Sequence, residues 1–200
     1  MAHAAYAAEL ILAEDAVRAR KLVADILKLN RERIRQQELI FAQACQQAEV
    51  MQDSSVLVLY SPDWNQGITG VVAARIAELY RRAALVISDS STEPDVIVGS
   101  GRAPRGFDLL ATLKPAQPLF MKLGGHSQAV GGSLRRESLE ELREALSSAI
   151  PVMTEPAVSE RSYDAELQLS DISRDLSEEL VRVYPFGEGY PPLRAILKGS

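Results

Sequence analysis

A strand, helix, strand unit in the middle of the chain most constrains the fold. Residues 56–60 (VLVLY) and 84–88 (ALVIS) are continuous apolar runs of strand length, which is typical of strands covered on both faces. Between them, residues 68–82 carry apolar side chains at helical spacing. Buried strands joined by a helix predict an α/β domain.

Further elements extend this unit. Residues 95–102 (DVIVGSGR) are predicted to be a third strand that ends in glycines, and residues 107–113 a short helix. A second amphipathic helix follows, with four apolar side chains on one side: Leu139, Leu142, Leu146 and Ile150. We therefore expect a compact mixed-sheet α/β domain over residues 53–150.

The first fifty residues contain little glycine or proline and predict a long helix. Its apolar positions form one stripe: Val23, Leu27, Ile34, Phe41 and Ala48. The other faces are rich in charged and amide side chains. A long helix that is polar on most sides is either solvated and packed by its one stripe, or a spacer between two bodies. We assign residues 1–52 to a connector helix region.

The last fifty residues differ from the preceding domain in their sequence pattern. Pro151 and Pro156 mark a linker, and residues 163–169 alternate like a strand. Spaced apolar residues then predict a short helix: Leu176, Leu180 and Val183. The sequence after the prolines at 191 and 192 is too short for another domain, so we expect residues 151–200 to be a linker and a strand-helix extension that leads into a truncated domain.

Composition limits the classes of protein. With 46% hydrophobic and 24% charged residues, the chain is neither disordered nor fibrous, and its one cysteine excludes an internal disulfide. No apolar run approaches the roughly 20 residues of a membrane helix, and no signal peptide is evident, so we expect a cytoplasmic protein without a membrane partner. The net charge is −5, so a polyanion would need a local basic patch.

Such a patch is available between residues 102 and 136. Asp108 is the one acid in this stretch, against six basic residues: Arg102, Arg105, Lys114, Lys122, Arg135 and Arg136. They form a basic face if the fold brings them together, and scattered surface charges if it does not.

Residues 123–133 (LGGHSQAVGGS) contain four glycines and His126. Paired glycines let a backbone approach a ligand closely and turn its amides toward an anion, and a histidine can donate to a phosphate oxygen. The alternative is a glycine-rich hairpin with a satisfied histidine. No ligand-spaced acid cluster or nucleophile elbow accompanies His126, so we assign no metal site and no catalytic residue.

Several motifs together resemble a known family. They are WNQGITGVVAAR at 64–75, GSGR at 99–102, and GGH at 124–126 with Ala129 and Gly131. In this order and spacing they are similar to the DHH-associated substrate-binding domain of RecJ-type single-strand-specific exonucleases. LNRER at 29–33 resembles the family's connector helix, and YPFGEG at 184–189 resembles the segment before its OB-fold. The resemblance covers nearly the whole chain.

The resemblance implies a function. RecJ-like enzymes remove nucleotides from the 5′ end of single-stranded DNA with a two-metal centre, usually Mn²⁺ or Mg²⁺, in a preceding DHH domain. That domain is expected to lie outside these 200 residues. The chain is thus expected to be the DNA-binding lobe of a 5′ to 3′ exonuclease, inactive alone and without a cofactor of its own. Its expected partners are single-stranded DNA and the missing DHH domain and OB-fold.

The resemblance also implies site residues. In the family, this domain grips substrate phosphate through residues that correspond to Arg102, Gly124, Gly125 and His126. Three positions depart from the family pattern: residues 65–66 are Asn-Gln instead of His-Pro, Ala103 replaces a serine, and Gly132 replaces an aromatic residue.

Trp64 and Arg75 each have two interpretations. Trp64 is either a platform on which a base stacks or a core residue. Arg75 either pairs with a backbone group or acid, or contacts substrate.

Two other functions stay open. One is another DHH phosphodiesterase, acting on short oligonucleotides or cyclic dinucleotides. The other is a non-catalytic RNA-binding module, since alanyl-tRNA synthetases carry a related domain with a GGH motif.

Overall fold

A computed structural model describes residues 2–51, 54–147, 149–153, 163–187 and 190–198. The chain divides into two compact units, residues 1–155 and 156–200. The predicted boundary at residues 52–53 lies outside the described residues.

The larger unit contains a long helix and a five-stranded mixed sheet. Its elements are α1 (Ala2–Ile11), α2 (Ala16–Glu49), β1 (Val56–Tyr60), α3 (Gln66–Tyr80), β2 (Ala83–Asp89), β3 (Val96–Arg102), α4 (Leu109–Leu113), β4 (Phe120–Gly125), β5 (Ala129–Arg135) and α5 (Leu139–Ser147). The strand order is β1-β2-β3-β5-β4. β1 pairs with β2 in parallel, and the other pairs are antiparallel. The predicted fold class, an α/β domain after a long helix, is confirmed.

The core has two layers because the strands alternate their side chains between the two faces. Leu57 and Leu59 of β1 pack with α3 and the end of α2. Val56 and Val58 pack on the other face with α4 and α5. Both faces of β1 and β2 are covered, which explains their continuous apolar sequence. None of the described buried residues in the α3 layer comes from β4 or β5, so that face of these two strands is open.

The predicted stripe on α2 is wrong over its first part. Val23, Leu27 and Ile34 are between 41% and 49% exposed. The buried positions near the domain are Ile40, Ala44 and Ala48. The buried face of α2 in the α3 layer therefore follows Ile40, Ala44 and Ala48, and the predicted positions Leu27 and Ile34 do not lie on it.

Side chains form hydrogen bonds with the backbone at the free edge of β1. The Gln47 amide donates from Nε2 to the Tyr60 carbonyl (2.8 Å) and accepts from the Tyr60 N–H at Oε1 (3.0 Å). Arg143 Nε donates to the Val58 carbonyl at 3.3 Å. These contacts satisfy backbone groups that an unprotected edge would offer to another chain.

Two helices are shorter than predicted. α4 begins at Leu109 instead of residue 107, because Asp108 caps it by accepting from the Ala111 N–H at 2.9 Å. α5 ends at Ser147, so Ile150 lies beyond it and is 86% exposed. The short 3₁₀ turns Lys114–Leu119 and Arg136–Ser138 complete the unit.

The second unit is small and its described residues are mostly exposed. It pairs β6 (Ala165–Gln168) in parallel with β7 (Ala195–Lys198), with a 3₁₀ turn at Leu169–Asp171 and helix α6 (Arg174–Arg182) between them. The predicted strand-helix extension is therefore present. The predicted linker residue Pro156 and the end of the YPFGEG motif lie outside the described residues. Across the described part of the chain, no helix has the length and apolarity needed to cross a membrane.

Candidate nucleic-acid interface

Arg102 at the end of β3, Ala129 at the start of β5 and His126 directly after β4 lie in one row across the sheet. Arg102 pairs with Ala129 in the β3–β5 register. On the other side of β5, the His126 N–H donates to the Ala129 carbonyl at 2.7 Å, and the Ala129 N–H donates to the His126 carbonyl at 3.3 Å. Because neighbouring strands lie about 4.8 Å apart, the Arg102 and His126 backbones are about 10 Å apart, with Ala129 between them.

The glycine-rich segment is a β-hairpin with a two-residue loop. Gly125 has φ +140°, and a Cβ there would lie 2.2 Å from the Ala129 carbonyl oxygen, so the hairpin requires glycine at this position. The loop is tied down from both sides: the Leu109 N–H donates to the Ser127 carbonyl (2.7 Å) and the Ala103 N–H to the Gln128 carbonyl (3.0 Å). The backbone of this segment is therefore the glycine-rich hairpin of the alternative interpretation. The exposed His126 ring has no hydrogen-bond partner among the described residues.

A face nearly bare of side chains adjoins this row. Gly124 of β4 pairs with Gly131 of β5, which pairs with Ser100 of β3. Both glycines are exposed, and a Cβ at Gly124 would meet no atom within 4 Å. Lys122, two residues before Gly124 on the same face of β4, pairs with Ser133 of β5. The sheet therefore offers a ligand close approach to its backbone, with basic side chains at the margins.

The Arg102 guanidinium is held at the border between α3 and this face. Nη1 donates to the Gly101 carbonyl at 2.8 Å. A Cβ at Gly70 of α3 would lie 3.2 Å from Arg102 Nη2 and 3.4 Å from Ser100 Oγ, so the glycine leaves room for both groups. Ser100 is not among the predicted site residues, and its hydroxyl lies 3.3 Å from that of Thr69. The one available signal was its place within the GSGR motif.

A basic groove lies on the other side of Arg102. Its volume is about 1140 Å³, and it runs between the C-terminal end of α3 and the chain that follows β3. Four arginines line it: Arg81, Arg82, Arg102 and Arg105. Part of the predicted basic face therefore converges. Arg136 lies elsewhere, in an ion pair with Asp89 (Nη2–Oδ2 2.6 Å).

Trp64 is a core residue. Its side chain is 4% exposed and packs with α2 and α3, and Nε1 donates to Gln43 Oε1 at 2.7 Å. The structure leaves no ring face at the surface for a base to stack on.

Arg75 pairs with an acid. Its guanidinium contacts the Glu38 carboxylate of α2 and lies over the Phe41 ring. Arg75 therefore joins two helices and does not belong to the row around Ala129.

Both residues of the first departure from the family pattern, Asn65 and Gln66, have structural roles. Asn65 caps α3 by accepting from the Gly67 N–H at 2.9 Å, and Gln66 Nε2 donates to the Asp89 carbonyl at 2.7 Å. The third departure, Gly132, is tightly confined, since a Cβ there would lie 3.0 Å from both the Phe120 ring and the Lys122 carbonyl.

The described residues contain no group of three or more histidine, cysteine or acidic side chains arranged to hold a metal ion. The residues described therefore do not fit a two-metal centre.

Comparison with known proteins identifies the domain. The DHHA1 domain family matches residues 53–151. Residues 53–151 are a DHHA1 domain. The single-stranded-DNA-specific exonuclease RecJ of Dickeya dadantii (strain 3937) is 31% identical over 194 residues, which are 92% of this chain and 33% of that protein. RecJ of Bacillus subtilis (strain 168) is 28% identical over 197 residues, or 97% of this chain and 25% of that protein.

The fold around the DHHA1 domain agrees as well. The crystal structure of RecJ from Thermus thermophilus in complex with Mg²⁺ matches with a TM-score of 0.70 at 23% identity, over 95% of this chain and 29% of that chain. The resemblance to RecJ-type proteins of the DHH family is thus confirmed, in sequence beyond the DHHA1 domain and in fold. This chain spans between a quarter and a third of the length of the curated relatives named above.

Proposed function

We propose that this chain is the single-stranded-DNA-binding part of a RecJ-like 5′ to 3′ exonuclease. In this proposal, Arg102 and the hairpin at Gly124, Gly125 and His126 hold substrate phosphate. The metal-dependent step, with Mn²⁺ or Mg²⁺, belongs to a DHH domain outside these 200 residues. Within this chain, residues 1–52 are the connector helix region, residues 53–150 the DHH-associated domain, and residues 151–200 the linker and strand-helix extension.

The observation that carries the proposal is the row formed by Arg102, Ala129 and His126. Two groups that can donate to phosphate flank an alanine at the edge of an open, glycine-rich face. Arginine offers a planar fork that matches two phosphate oxygens, and exposed glycines let the sugar-phosphate chain lie close to the sheet.

Fluorescence anisotropy with a 3′-labelled, 5′-phosphorylated oligothymidine tests this proposal. We expect weak binding whose affinity falls as salt concentration rises, because the contacts are mostly to phosphate. Arg102→Ala should weaken binding by roughly 10-fold or more, since a charged hydrogen bond is worth ~1.5–3 kcal/mol. Arg102→Lys should restore part of it, because lysine keeps the charge without the fork.

Arg135→Ala is the matched control. Arg135 is exposed on β5 of the same sheet, at the opposite end from Ala129. The substitution removes one positive charge at a position outside the row, so the variant should bind the oligothymidine about as tightly as the unsubstituted chain does. Equal effects of the Arg102 and Arg135 substitutions, or binding that is insensitive to salt, would count against the phosphate assignment.

Gly124→Ala tests close approach to the hairpin. The added methyl group has open space in the free protein, so folding should be unaffected while binding weakens. Unchanged binding by this variant would remove Gly124 from the site.

Competition separates the remaining functions. An RNA oligonucleotide or a cyclic dinucleotide that displaces the oligothymidine at a lower concentration than unlabelled oligothymidine would favour an RNA-binding module or a small-nucleotide phosphodiesterase over the RecJ-like function.

A further inference from the structure

We infer that the groove at the C-terminal end of α3 binds the sugar-phosphate backbone of a single strand beyond the phosphate held by Arg102, through Arg81 and Arg105. The inference rests on the proposed function and extends the path of the strand.

The charge of the groove opposes that of the whole chain. Four arginines and one acid, Glu78, are the charged side chains among the described residues that line it, whereas the chain carries a net charge of −5. A concave surface lined by one sign of charge concentrates the field and attracts the opposite charge. With a volume of about 1140 Å³, the groove has room for several linked anionic groups.

Two of the arginines are available to a ligand. Arg82 is engaged within the protein, where Nη1 donates to the carbonyls of Met51 and Ser54 at 2.8 Å each. Arg81 and Arg105 are exposed, and their guanidinium groups make no hydrogen bond or ion pair with any residue that the structure describes. The groove therefore presents charge that the fold itself does not use.

Arg81 occupies a backbone conformation that normally selects glycine. It is the residue that ends α3, in the left-handed region with φ 51° and ψ 36°. Glycine is the usual residue at this position of a helix end because it has no Cβ. An arginine in the last turn of α3 would interact with the helix dipole equally well without this conformation. The Arg81 side chain lines the groove from this position.

Arg102 connects the groove to the site already described. It lies in the row with Ala129 and also lines the groove. The Ala103 N–H and the Gln128 carbonyl join the two chain segments at this point, at 3.0 Å. A strand held at Arg102 thus has a continuous route into the groove.

The chemistry of the walls indicates contact with the backbone of the strand. The side chains beside the arginines include Pro104, Pro151 and Met153, and the one aromatic residue among those described there, Phe107, is 5% exposed. Bases stack on exposed aromatic rings, which this groove does not offer. Binding should therefore show little preference for base sequence.

The experiment uses the full chain and 5′-phosphorylated, 3′-labelled oligothymidines of 3 and 12 nucleotides. Arg81→Gly and Arg105→Ala should each weaken binding of the 12-mer several-fold and reduce its salt slope by about 0.7, the value for one phosphate contact on a single strand. Neither should change binding of the 3-mer. Arg102→Ala should weaken both lengths.

Arg81→Gly also separates binding from folding. It places the favoured residue at φ 51°, so its thermal unfolding midpoint should equal or exceed that of the unsubstituted chain. Weaker 12-mer binding by this variant cannot then be attributed to loss of structure. Arg135→Ala again serves as the matched control for loss of one charge.

The outcomes distinguish the two proposals. If Arg102→Ala weakens both lengths and the groove variants bind the 12-mer as the unsubstituted chain does, the groove inference is overturned and the proposed function stands. If Arg102→Ala changes neither length while the groove variants weaken the 12-mer, the proposed phosphate grip fails, and with it the path beyond Arg102. If the groove variants weaken both lengths equally, the division of the path between Arg102 and the groove is wrong.

Discussion

Arg75 on α3 and Glu38 on α2 form a two-point ion pair, with Nη1–Oε1 at 2.6 Å and Nη2–Oε2 at 3.2 Å. The Arg75 Cζ also lies 3.9 Å from the centre of the Phe41 ring. This arrangement ties the long helix to the domain through one side chain.

Arg75→Ala should lower the stability of the chain and leave binding of single-stranded DNA unchanged. The stacking on Phe41 alone is worth ~0.5–1 kcal/mol at an exposed site. Urea unfolding measures the change, with Arg31→Ala, an exposed arginine of α2, as the control. Loss of DNA binding by a folded Arg75→Ala protein would contradict a purely structural role.

The same pair predicts a pH dependence. The hydrogen bond from Arg75 lowers the pKa of the Glu38 carboxyl below its ordinary value of 4.5. A group whose pKa is lower in the folded state stabilises it above the unfolded pKa, and this contribution is lost as the pH falls through the folded pKa. The stability difference between the unsubstituted chain and Glu38→Gln should therefore be present at neutral pH and shrink in acid. A difference that grows below the ordinary pKa would show that the sign is wrong.

Trp64 provides a direct optical test, since it is the single tryptophan of the chain. A ring that is 4% exposed should emit at short wavelength, and addition of single-stranded DNA should not shift or quench the emission. Trp64→Ala should cost ~3–5 kcal/mol of stability, as for other large core side chains. Strong quenching by DNA would indicate that a base reaches the ring.

The two glycines of the GGH motif should respond differently to the same substitution. Gly125→Ala forces a side chain into φ +140° and against the Ala129 carbonyl, and residues in such conformations cost on the order of 1–3 kcal/mol each. Gly124→Ala should leave the unfolding midpoint nearly unchanged. Thermal unfolding of the two variants is the measurement, and equal destabilisation would mean that the hairpin backbone is not as described.

Sequence patterns predicted the parts of the fold in which neighbouring residues share one environment. The apolar runs of β1 and β2 are recognisable because both faces of these strands are covered. The periodicity of α2 predicted one stripe but could not predict which positions its partners cover, and the buried residues in the α3 layer are Ile40, Ala44 and Ala48 while Leu27 and Ile34 are exposed.

The candidate site depended on contacts between distant segments. The row of Arg102, Ala129 and His126 exists because β5 lies between β3 and β4, and strand order is not encoded in the local pattern of any one strand. The same holds for the groove, whose arginines come from the end of α3 and from the chain after β3. The resemblance to RecJ-type proteins pointed to Arg102 and the GGH motif, but nothing in the sequence distinguished the available Arg81 from the engaged Arg82.

The two hydrogen bonds between the Gln47 amide and the Tyr60 backbone, together with the pair between Glu38 and Arg75, fix the rotational phase of α2 as well as its position. A residue inserted between positions 38 and 47 would turn the helix by about 100° and break one of the two attachments. A residue inserted before position 38 would leave both intact, while rotating the preceding part of the helix by the same angle and advancing it by about 1.5 Å. The direction in which that part of α2 presents its side chains is therefore set by the number of residues that separate it from Glu38.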